Sequence, residues 1–305
     1  MRIRILGSAA GGGVPQWNCG CPVCVAVRSA SRPVTSRRSS TIAVGDGSGE
    51  WFLGNAGPDL DAALRECPPL WPEPGDATAP IHGVFLTDAE LDHTLGLLSL
   101  RQASELAVYG TAAVRILLTQ CGVLPTLESY TVLRWHEVSP GERFALRYRH
   151  GAASPLWCEP FDVTGPRLPR YARGGVPGSG VVVGYRIGDE RTDRRAVFLP
   201  SVAALDEHVL QQFHGIHLIL VDGTFWTDDE LHRRQRGTAT ARSMGHQPVD
   251  GDEGSLRPLR ELTGTHIVYT HLNNTNPMLF EDGPERAYLA ETGVTVAHDG
   301  AEYEL

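Results

Sequence analysis

The segment Leu86-Thr87-Asp88-Ala89-Glu90-Leu91-Asp92-His93 joins a predicted strand to a predicted helix. The apolar run Val84-Phe85-Leu86 is typical of the end of a buried strand, and the leucines of residues 95–100 predict the start of a helix. Carboxylates and an imidazole therefore gather in a turn where α/β proteins usually place reactive groups. A capping box, Thr87-x-x-Glu90, accounts for the same acids on this segment alone, so a purely structural role stays open here.

Two later strands carry the same kind of signal. The apolar run at residues 216–221 ends in Asp222, and the run at residues 266–270 ends in His271. If these strands run the same way, their ends meet at one side of a sheet and present polar side chains together. Carboxylate oxygens combined with imidazole nitrogens suit zinc, iron or manganese. The sequence predicts a metal site with these ligands: Asp92, His93, Asp222 and His271.

Composition and charge narrow the class of protein. No linker divides the 305 residues, so we expect residues 1–305 to form a single domain with a substantial core. A hydrophobic fraction of 41% and a charged fraction of 21% are ordinary for a soluble globular protein. The formal net charge of −9 argues against nucleic acid as a partner, and no apolar run is long enough to span a bilayer. Without a signal peptide pattern at the N-terminus, we predict a cytoplasmic protein.

Three of the six cysteines form a C-x-C-x-x-C motif: Cys19, Cys21 and Cys24. Three thiolates at this spacing can hold one tetrahedral Zn²⁺ with a fourth ligand from elsewhere. The motif predicts a structural zinc knuckle at residues 19–24, with the fourth ligand open among His246, His232 and a histidine near the C-terminus. The scattered thiols are expected to be small core residues: Cys67, Cys121 and Cys158.

The order of predicted elements indicates two similar β-rich halves, each ending in helices. Helices outside two packed sheets fit this order, so we predict an α/β (α+β) fold arranged as a four-layer αββα sandwich. A glycine-rich turn predicts a hairpin at residues 41–53, and an amphipathic helix is predicted at residues 202–213. The glycine run at residues 7–13 is expected to let the backbone pass close to the site. Residues 168–180 are expected to form an exposed loop, with a mobile lid as the alternative.

Several longer motifs carry a family resemblance. Three of them resemble motifs of the pyrroloquinoline quinone (PQQ) biosynthesis protein B family: GGGVPQWNCGC at residues 11–21, MGHQP at 244–248 and HLNNTNP at 271–277. The segment at residues 86–93 resembles the H-x-H-x-D-H turn of the metallo-β-lactamase fold, with Asp88 and Glu90 in place of the two leading histidines. The resemblance covers nearly the whole chain and implies the αββα sandwich of that fold and a place in PQQ biosynthesis.

The departures from the lactamase pattern concern one of its two metal positions. Hydrolases of this fold usually hold two metals, and the first metal needs the leading histidines and a mid-chain histidine. The corresponding residues 161–166 contain no histidine, so we expect the first position to be lost and the second to keep its four ligands. Asp88 and Glu90 are then expected to act beside the ligands, to bind a substrate amine or to hold a weak second cation.

The resemblance implies an enzyme as the first functional hypothesis. It would be a mononuclear Fe²⁺ hydroxylase that uses O₂ on the tyrosine ring of a small Glu–Tyr-derived precursor of PQQ. Two histidines with carboxylates approach the ligand triad of non-haem iron oxygenases, and Zn²⁺ can replace iron at such a site. The predicted catalytic residues are His246, Asp88 and Glu90. The predicted substrate contacts are Asn273 and Asn274.

Two other functions stay open at this point. A carrier would bind PQQ or its precursor, with Arg173 pairing with carboxylates of the ligand. A metal-dependent hydrolase would follow the commonest use of the fold, but the missing histidines count against two-metal chemistry. The expected partners are the peptide-derived precursor, PQQ and O₂, without nucleic acid or membrane, and a homodimer remains open.

Overall fold

The computed structural model describes residues 1–165, 167–234 and 237–305. The strands of these residues are, in chain order, β1 (Arg2–Gly7), β2 (Thr41–Gly45), β3 (Trp51–Gly54), β4 (Ile81–Phe85), β5 (Glu105–Gly110), β6 (Val132–Glu137), β7 (Phe144–Arg147), β8 (Ala153–Asp162), β9 (Val183–Asp189), β10 (Arg195–Leu199), β11 (Leu218–Asp222), β12 (His266–Thr270), β13 (Thr295–Val296) and β14 (Glu302–Glu304).

The helices are short and lie in the connections between strands. They are α1 (Pro22–Ser29), α2 (Leu60–Arg65), α3 (Leu91–Thr94), α4 (Ala112–Gln120), α5 (Val123–Glu128), α6 (Glu207–Gln211), α7 (Glu230–Arg233), α8 (Leu256–Leu259) and α9 (Pro284–Thr292). Short 3₁₀ helices occupy Pro68–Leu70, Leu95–Leu100, Arg242–Met244 and Pro277–Leu279. Within the described ranges, no helix combines the length and apolar character needed to cross a membrane.

The described strands form two seven-stranded sheets. The first sheet has the order β14-β1-β2-β3-β4-β5-β6, and the second has the order β13-β12-β11-β10-β9-β8-β7. Strands β3 to β6 are parallel in the first sheet, and strands β10 to β13 are parallel in the second. The carboxyl ends of β11 and β12 therefore lie side by side, and the loop after β4 approaches them from the other sheet.

Alternating side chains of the strands fill an apolar layer between the sheets and one on each outer face. Leu220 of β11 packs between the sheets, whereas Ile219 packs with the helices outside the second sheet. Phe85 and Val84 of β4 divide in the same way on the first sheet. Both faces of these strands are covered, which explains why their sequences are continuous apolar runs. The predicted four-layer αββα sandwich is confirmed.

One local prediction agrees with the structure, and one strand was not predicted. β2 and β3 form the expected antiparallel hairpin, with Gly47 and Gly49 at positive φ in its turn. The edge strand β14 was not predicted because its alternation spans only Glu302–Glu304. It pairs with β1, Ile3 opposite Tyr303, and completes the first sheet.

The predicted helix at residues 202–213 is wrong in its first half. Only α6 is helical there, beginning after Asp206, whose side chain accepts a hydrogen bond from the backbone N–H of Val209. The backbone N–H groups before α6 bond to side chains and not to a helix. The N–H of Val202 donates to Asp222 Oδ2, and the N–H of Leu205 donates to Gln247. Side-chain acceptors from distant strands and loops thus override the local amphipathic pattern.

Glu230, the first residue of α7, is a buried carboxyl outside the predicted site. Its carboxyl oxygens accept hydrogen bonds from the backbone N–H of Trp226 at 2.7 Å and from the hydroxyl of Thr275. Burial raises the pKa of Glu230 from 4.5 to about 7, because the low-dielectric interior disfavours the charged form. The folded protein therefore holds a proton at a pH where the unfolded chain has released it.

This difference predicts a pH dependence of stability. As the pH rises from about 4.5 to about 7, Glu230 should lower the free energy of unfolding by about 3 kcal/mol. Glu230→Gln mimics the protonated carboxyl, so this contribution should vanish in the variant. Urea unfolding of both proteins at about pH 5 and pH 8 measures how much the free energy of unfolding of each protein changes with pH. An equal change in the two proteins would show that Glu230 does not titrate in this range.

Candidate metal centre

The predicted ligands meet around a cavity of about 510 Å³ at the end of the sandwich where β11 and β12 end. The metal-binding atoms of Asp92, His93 and His271 all lie within 4.8 Å of one another, and so do those of Asp222, His246 and His271. The two groups share His271. Each ligand predicted from sequence therefore belongs to one of two adjoining groups, and His246 is a further nitrogen donor in the second group.

His93 is held for metal binding by a carboxylate. Its Nδ1–H donates to Asp88 Oδ2 at 2.7 Å, which fixes the ring and turns Nε2 away from Asp88. This Nε2 is buried without a hydrogen-bond partner and lies 3.9 Å from Asp92 Oδ2. An unpaired buried polar atom costs about 1–3 kcal/mol. A metal ion between His93 and Asp92 would satisfy it, so the residues present fit a bound cation.

Thr224 connects the remaining donors. Its hydroxyl lies 2.6 Å from Asp222 Oδ1, 2.8 Å from His271 Nδ1 and 3.2 Å from His246 Nδ1. Because an ionised carboxylate can only accept, the Thr224 hydroxyl donates to Asp222 and accepts from His271 Nδ1–H. The other nitrogen of His271, Nε2, lies within hydrogen-bond distance of Asp92 Oδ2, at 3.3 Å.

Asp222 differs from Asp92 in how its oxygens are used. Asp222 is fully buried, and its Oδ2 accepts from His246 Nδ1 at 2.7 Å and from the Val202 N–H at 2.9 Å. Its Oδ1 accepts from both the hydroxyl and the N–H of Thr224. Asp92 instead lines the cavity. Asp222 thus orients His246 through Oδ2 and holds Thr224 through Oδ1.

The charges of this cluster depend on one another. Burial alone would lower the pKa of His93, but the carboxylates of Asp88 and Asp92 raise it to about 9. Burial would raise the pKa of each of these acids, but His93 holds both pKa values below the ordinary range. A cation bound at His93 Nε2 would take the place of the His93 proton, so metal binding would release that proton.

The capping alternative for residues 87–90 is wrong. No side chain caps α3 at Glu90, and the Thr87 hydroxyl donates to Asp88 Oδ2 at 2.8 Å. Asp88 Oδ1 accepts from the Glu90 N–H, while Asn55 Oδ1 accepts from the Thr87 N–H. The turn is therefore built to hold Asp88 against His93. Glu90 lines the cavity, and burial together with the charges of Asp88 and Asp92 raises its pKa to about 7.

The backbone also adapts to the centre. His271 has a φ of 57°, a left-handed conformation that costs a residue with a side chain about 1–2 kcal/mol. The glycine run contributes Gly11 and Gly12 to the cavity wall. A Cβ atom on Gly11 would stand 3.3 Å from Asp92 Oδ2, so the predicted close approach of this backbone to the site is confirmed.

Two predicted substrate contacts lie away from the cavity. Asn274 is buried, and its Nδ2 lies 3.3 Å from Cys24 Sγ. Arg173 is exposed, and its N–H donates to Gln120 on α4. Among the residues that the structure describes, neither lines the cavity, whereas Asn273 does. The expectation that Asn274 and Arg173 contact a ligand there is therefore corrected.

Sequence reasoning missed several residues of the cavity wall. Arg167, Arg170 and Tyr171 line it from the loop that follows β8, and the Tyr171 hydroxyl donates to the carbonyl of Ala89. The arginine-rich composition of this loop was the available signal. Thr224, two residues beyond the end of β11, had no sequence signal because a single threonine after a strand is common.

The cysteine motif forms a separate buried group. The Sγ atoms of Cys19, Cys21 and Cys24 lie within 4.8 Å of one another, at the start of α1. Cys21 Sγ lies 3.2 Å from the carbonyl oxygen of Asn274. Of the proposed fourth ligands, His246 belongs to the other centre, and neither His232 nor His298 joins the thiols in the described part of the chain.

Comparison with known proteins shows the family. A model described as a beta-lactamase superfamily domain matches residues 50–272. The chain is 40% identical over 307 residues to coenzyme PQQ synthesis protein B of Cupriavidus necator, covering 99% of both chains. It is 38% identical to the protein of that name from Pseudomonas putida, covering all of both chains. This chain belongs to the coenzyme PQQ synthesis protein B family.

Solved structures agree with this family and its sandwich. The crystal structure of Zn²⁺-bound PqqB from Methylobacterium extorquens is 33% identical to this chain and superimposes with a TM-score of 0.91 over the full length of both. A diphosphatase of the PhnP family, 20% identical, has a TM-score of 0.66 and shares the fold. The family and the metallo-β-lactamase sandwich predicted from sequence are confirmed.

The position of Thr224 generates a prediction about metal affinity. Thr224→Val keeps the shape of the side chain but removes the acceptor of His271 Nδ1–H, so His271 loses its fixed tautomer. We expect the affinity of the centre for Fe²⁺ to fall about 10- to 100-fold, measured by anaerobic competition with a coloured chelator. Thr224→Ser keeps the hydroxyl and should bind Fe²⁺ like the wild type. Equal weakening in both variants would rule out the hydroxyl as the cause.

Proposed function

We propose that this chain acts in PQQ biosynthesis as a mononuclear, Fe²⁺-dependent hydroxylase. It would use O₂ to hydroxylate the tyrosine ring of a small Glu–Tyr-derived precursor. Full-length relatives named coenzyme PQQ synthesis protein B support the pathway. The observation that carries the chemistry is the group of Asp92, His93 and His271 at the cavity, because two histidines and one carboxylate are the ligand set of non-haem iron oxygenases.

The use of Asp88 favours one metal over two. At the position of a leading lactamase histidine, Asp88 accepts hydrogen bonds from the Thr87 hydroxyl, the Glu90 N–H and His93 Nδ1. A second cation would have to break this set and release His93. Two-metal hydrolysis therefore has less support here than chemistry at a single ion.

The cavity suits a substrate with carboxylates. Arg167 and Arg170 line the cavity wall, and guanidinium groups pair well with carboxylates. Leu91, Leu95 and Phe225 add apolar surface for a ring. A volume of about 510 Å³ lies within the range of small-molecule sites. A precursor that combines a tyrosine ring with glutamate carboxylates matches this lining.

The chain's own residues would hold and order the reactants. Bound Fe²⁺ would supply the redox chemistry that lets O₂ react with the ring. Arg167 and Arg170 would bind carboxylates, and His246, fixed through Nδ1 by Asp222, would accept the phenol proton at Nε2. One oxygen atom of O₂ enters the ring and the other leaves as water, with two electrons and two protons from an external reductant.

Isotope labelling tests this function. Anaerobically purified protein, loaded with Fe²⁺, should incorporate ¹⁸O from ¹⁸O₂ into a Glu–Tyr substrate, as measured by mass spectrometry. Asp92→Asn removes the carboxylate that faces the cavity and should lower the rate at least 100-fold, about 3 kcal/mol in activation free energy. Asp250→Asn alters an exposed acid and serves as the matched control. Tight binding of PQQ without incorporation would contradict the hydroxylase and favour a carrier.

We also propose that Cys19, Cys21 and Cys24 hold a structural Zn²⁺. Burial and the neighbouring thiols raise the pKa of Cys21 to about 11 in the absence of metal, and coordination by Zn²⁺ would stabilise the thiolates. Cys24→Ser should lose one zinc per chain, measured by elemental analysis. Cys121→Ser alters a thiol outside the group and should keep that zinc. Equal zinc contents in the two variants would exclude the site.

A further inference from the structure

A second cavity, of about 300 Å³, lies far from the metal centre. Its floor includes His82 at the start of β4 and Glu105 at the start of β5, whereas the metal centre follows the carboxyl end of β4. The hairpin between β7 and β8 forms its other wall. We call it the basic cavity, after six of its lining residues: His82, Arg134, His136, Arg147, Arg149 and His150.

The charge of the basic cavity contrasts with that of the protein. The whole chain carries a formal net charge of −9, yet three arginines line this cavity with a single carboxylate, Glu105. That carboxylate forms an ion pair with Arg134, whose Nε lies 2.7 Å from Glu105 Oε1. The remaining positive charge is therefore concentrated on the hairpin side.

Among the described residues, the guanidinium groups of the other two arginines have only backbone hydrogen-bond partners. The guanidinium of Arg147 donates to the Gly151 carbonyl, and that of Arg149 donates to the Ile81 carbonyl at 2.8 Å. In the described ranges neither forms an ion pair with a carboxylate. A guanidinium has five donors, so both retain N–H groups for a further acceptor.

Two hydrogen bonds from its backbone hold the β7–β8 hairpin over the cavity. The backbone N–H of Arg147 donates to the Tyr109 hydroxyl, and the backbone N–H of Arg149 donates to His82 Nδ1, each at 3.0 Å. Tyr109 is buried and stacks on His136 with ring centroids 4.6 Å apart. These contacts fix both arginines on a rigid base, which reduces the ordering cost of binding.

Polar residues occupy positions that usually belong to the core. Tyr109 and Ala107 of β5 face the layer between the sheets, and Glu105 lies on the same face by strand alternation. His136, which is opposite Tyr109 in the parallel pair, stacks in this layer too. The pKa of His136 is lowered by burial and by the charges of Arg147 and Arg134, which marks a positive local potential.

We propose that the basic cavity binds a small polyanion through the guanidinium groups of Arg147 and Arg149. The chemistry is that of carboxylate or phosphate oxygens, which pair with guanidinium in a bidentate manner. The site is distinct from the metal centre and does not depend on the proposed hydroxylation. It would place a second anionic ligand at the opposite end of the sandwich.

Calorimetric titration of the full-length, metal-loaded protein with citrate and, separately, with inorganic phosphate tests the proposal at constant ionic strength. We expect saturable binding of at least one of these anions. The anion that binds shows whether the cavity prefers carboxylate or phosphate oxygens. Arg147→Gln with Arg149→Gln should weaken that binding at least tenfold. Arg260→Gln removes the same charge from an exposed surface position and should leave the affinity unchanged.

Two further variants keep the result decisive. Arg147→Gln alone alters an exposed side chain, so it should weaken binding even if loss of Arg149 disturbs the fold. Arg167→Gln alters the wall of the metal centre and should not change this binding. The proposal is overturned if neither anion binds saturably, if the Arg147 variants bind like the wild type, or if only Arg167→Gln loses binding.

Discussion

The hydrogen bond from His93 Nδ1 to Asp88 Oδ2 is the contact on which the centre depends. It turns His93 so that Nε2 faces Asp92. Its acceptor, Asp88, occupies the position where a two-metal relative has a metal ligand. The same device recurs at His246, which donates to Asp222, and at His271, which donates to Thr224. Each imidazole thus has its Nδ1 bonded to the protein, while the Nε2 atoms of His93 and His271 face Asp92.

The sandwich makes this arrangement possible because the polar groups of the site follow the carboxyl ends of β4, β11 and β12. Along β11 the side chains of Leu218, Ile219, Leu220 and Val221 are all buried between the sheets or under helices, and the first carboxylate appears at Asp222. His271 follows β12 beside it. Parallel pairing of the two strands brings these residues together, while the loop after β4 supplies Asp92 and His93 from the other sheet.

The sequence indicated the candidate ligands and the layers, but not all the partners that orient them. Asp92, His93, Asp222 and His271 were identifiable as candidates because Asp222 and His271 each close an apolar run, and Asp92 and His93 lie in the turn after one. Thr224 and the wall arginines Arg167 and Arg170 were not, because their roles arise only from contacts between distant segments. The same reason explains Asn274, which the sequence placed beside a substrate and the structure places beside Cys24. The helix expected at residues 202–213 failed where backbone groups were taken by Asp222 and Gln247.

The number of iron ions at the centre tests the account most directly. Wild-type protein, with the proposed cysteine site filled with Zn²⁺, can be titrated anaerobically with Fe²⁺, and the bound iron can be counted by Mössbauer spectroscopy. The account predicts one Fe²⁺ per chain, because Asp88 is committed to His93 and no histidine stands in the leading positions. Two Fe²⁺ per chain with magnetic coupling between them would contradict it, since a second ion would require Asp88 or Glu90 as a ligand.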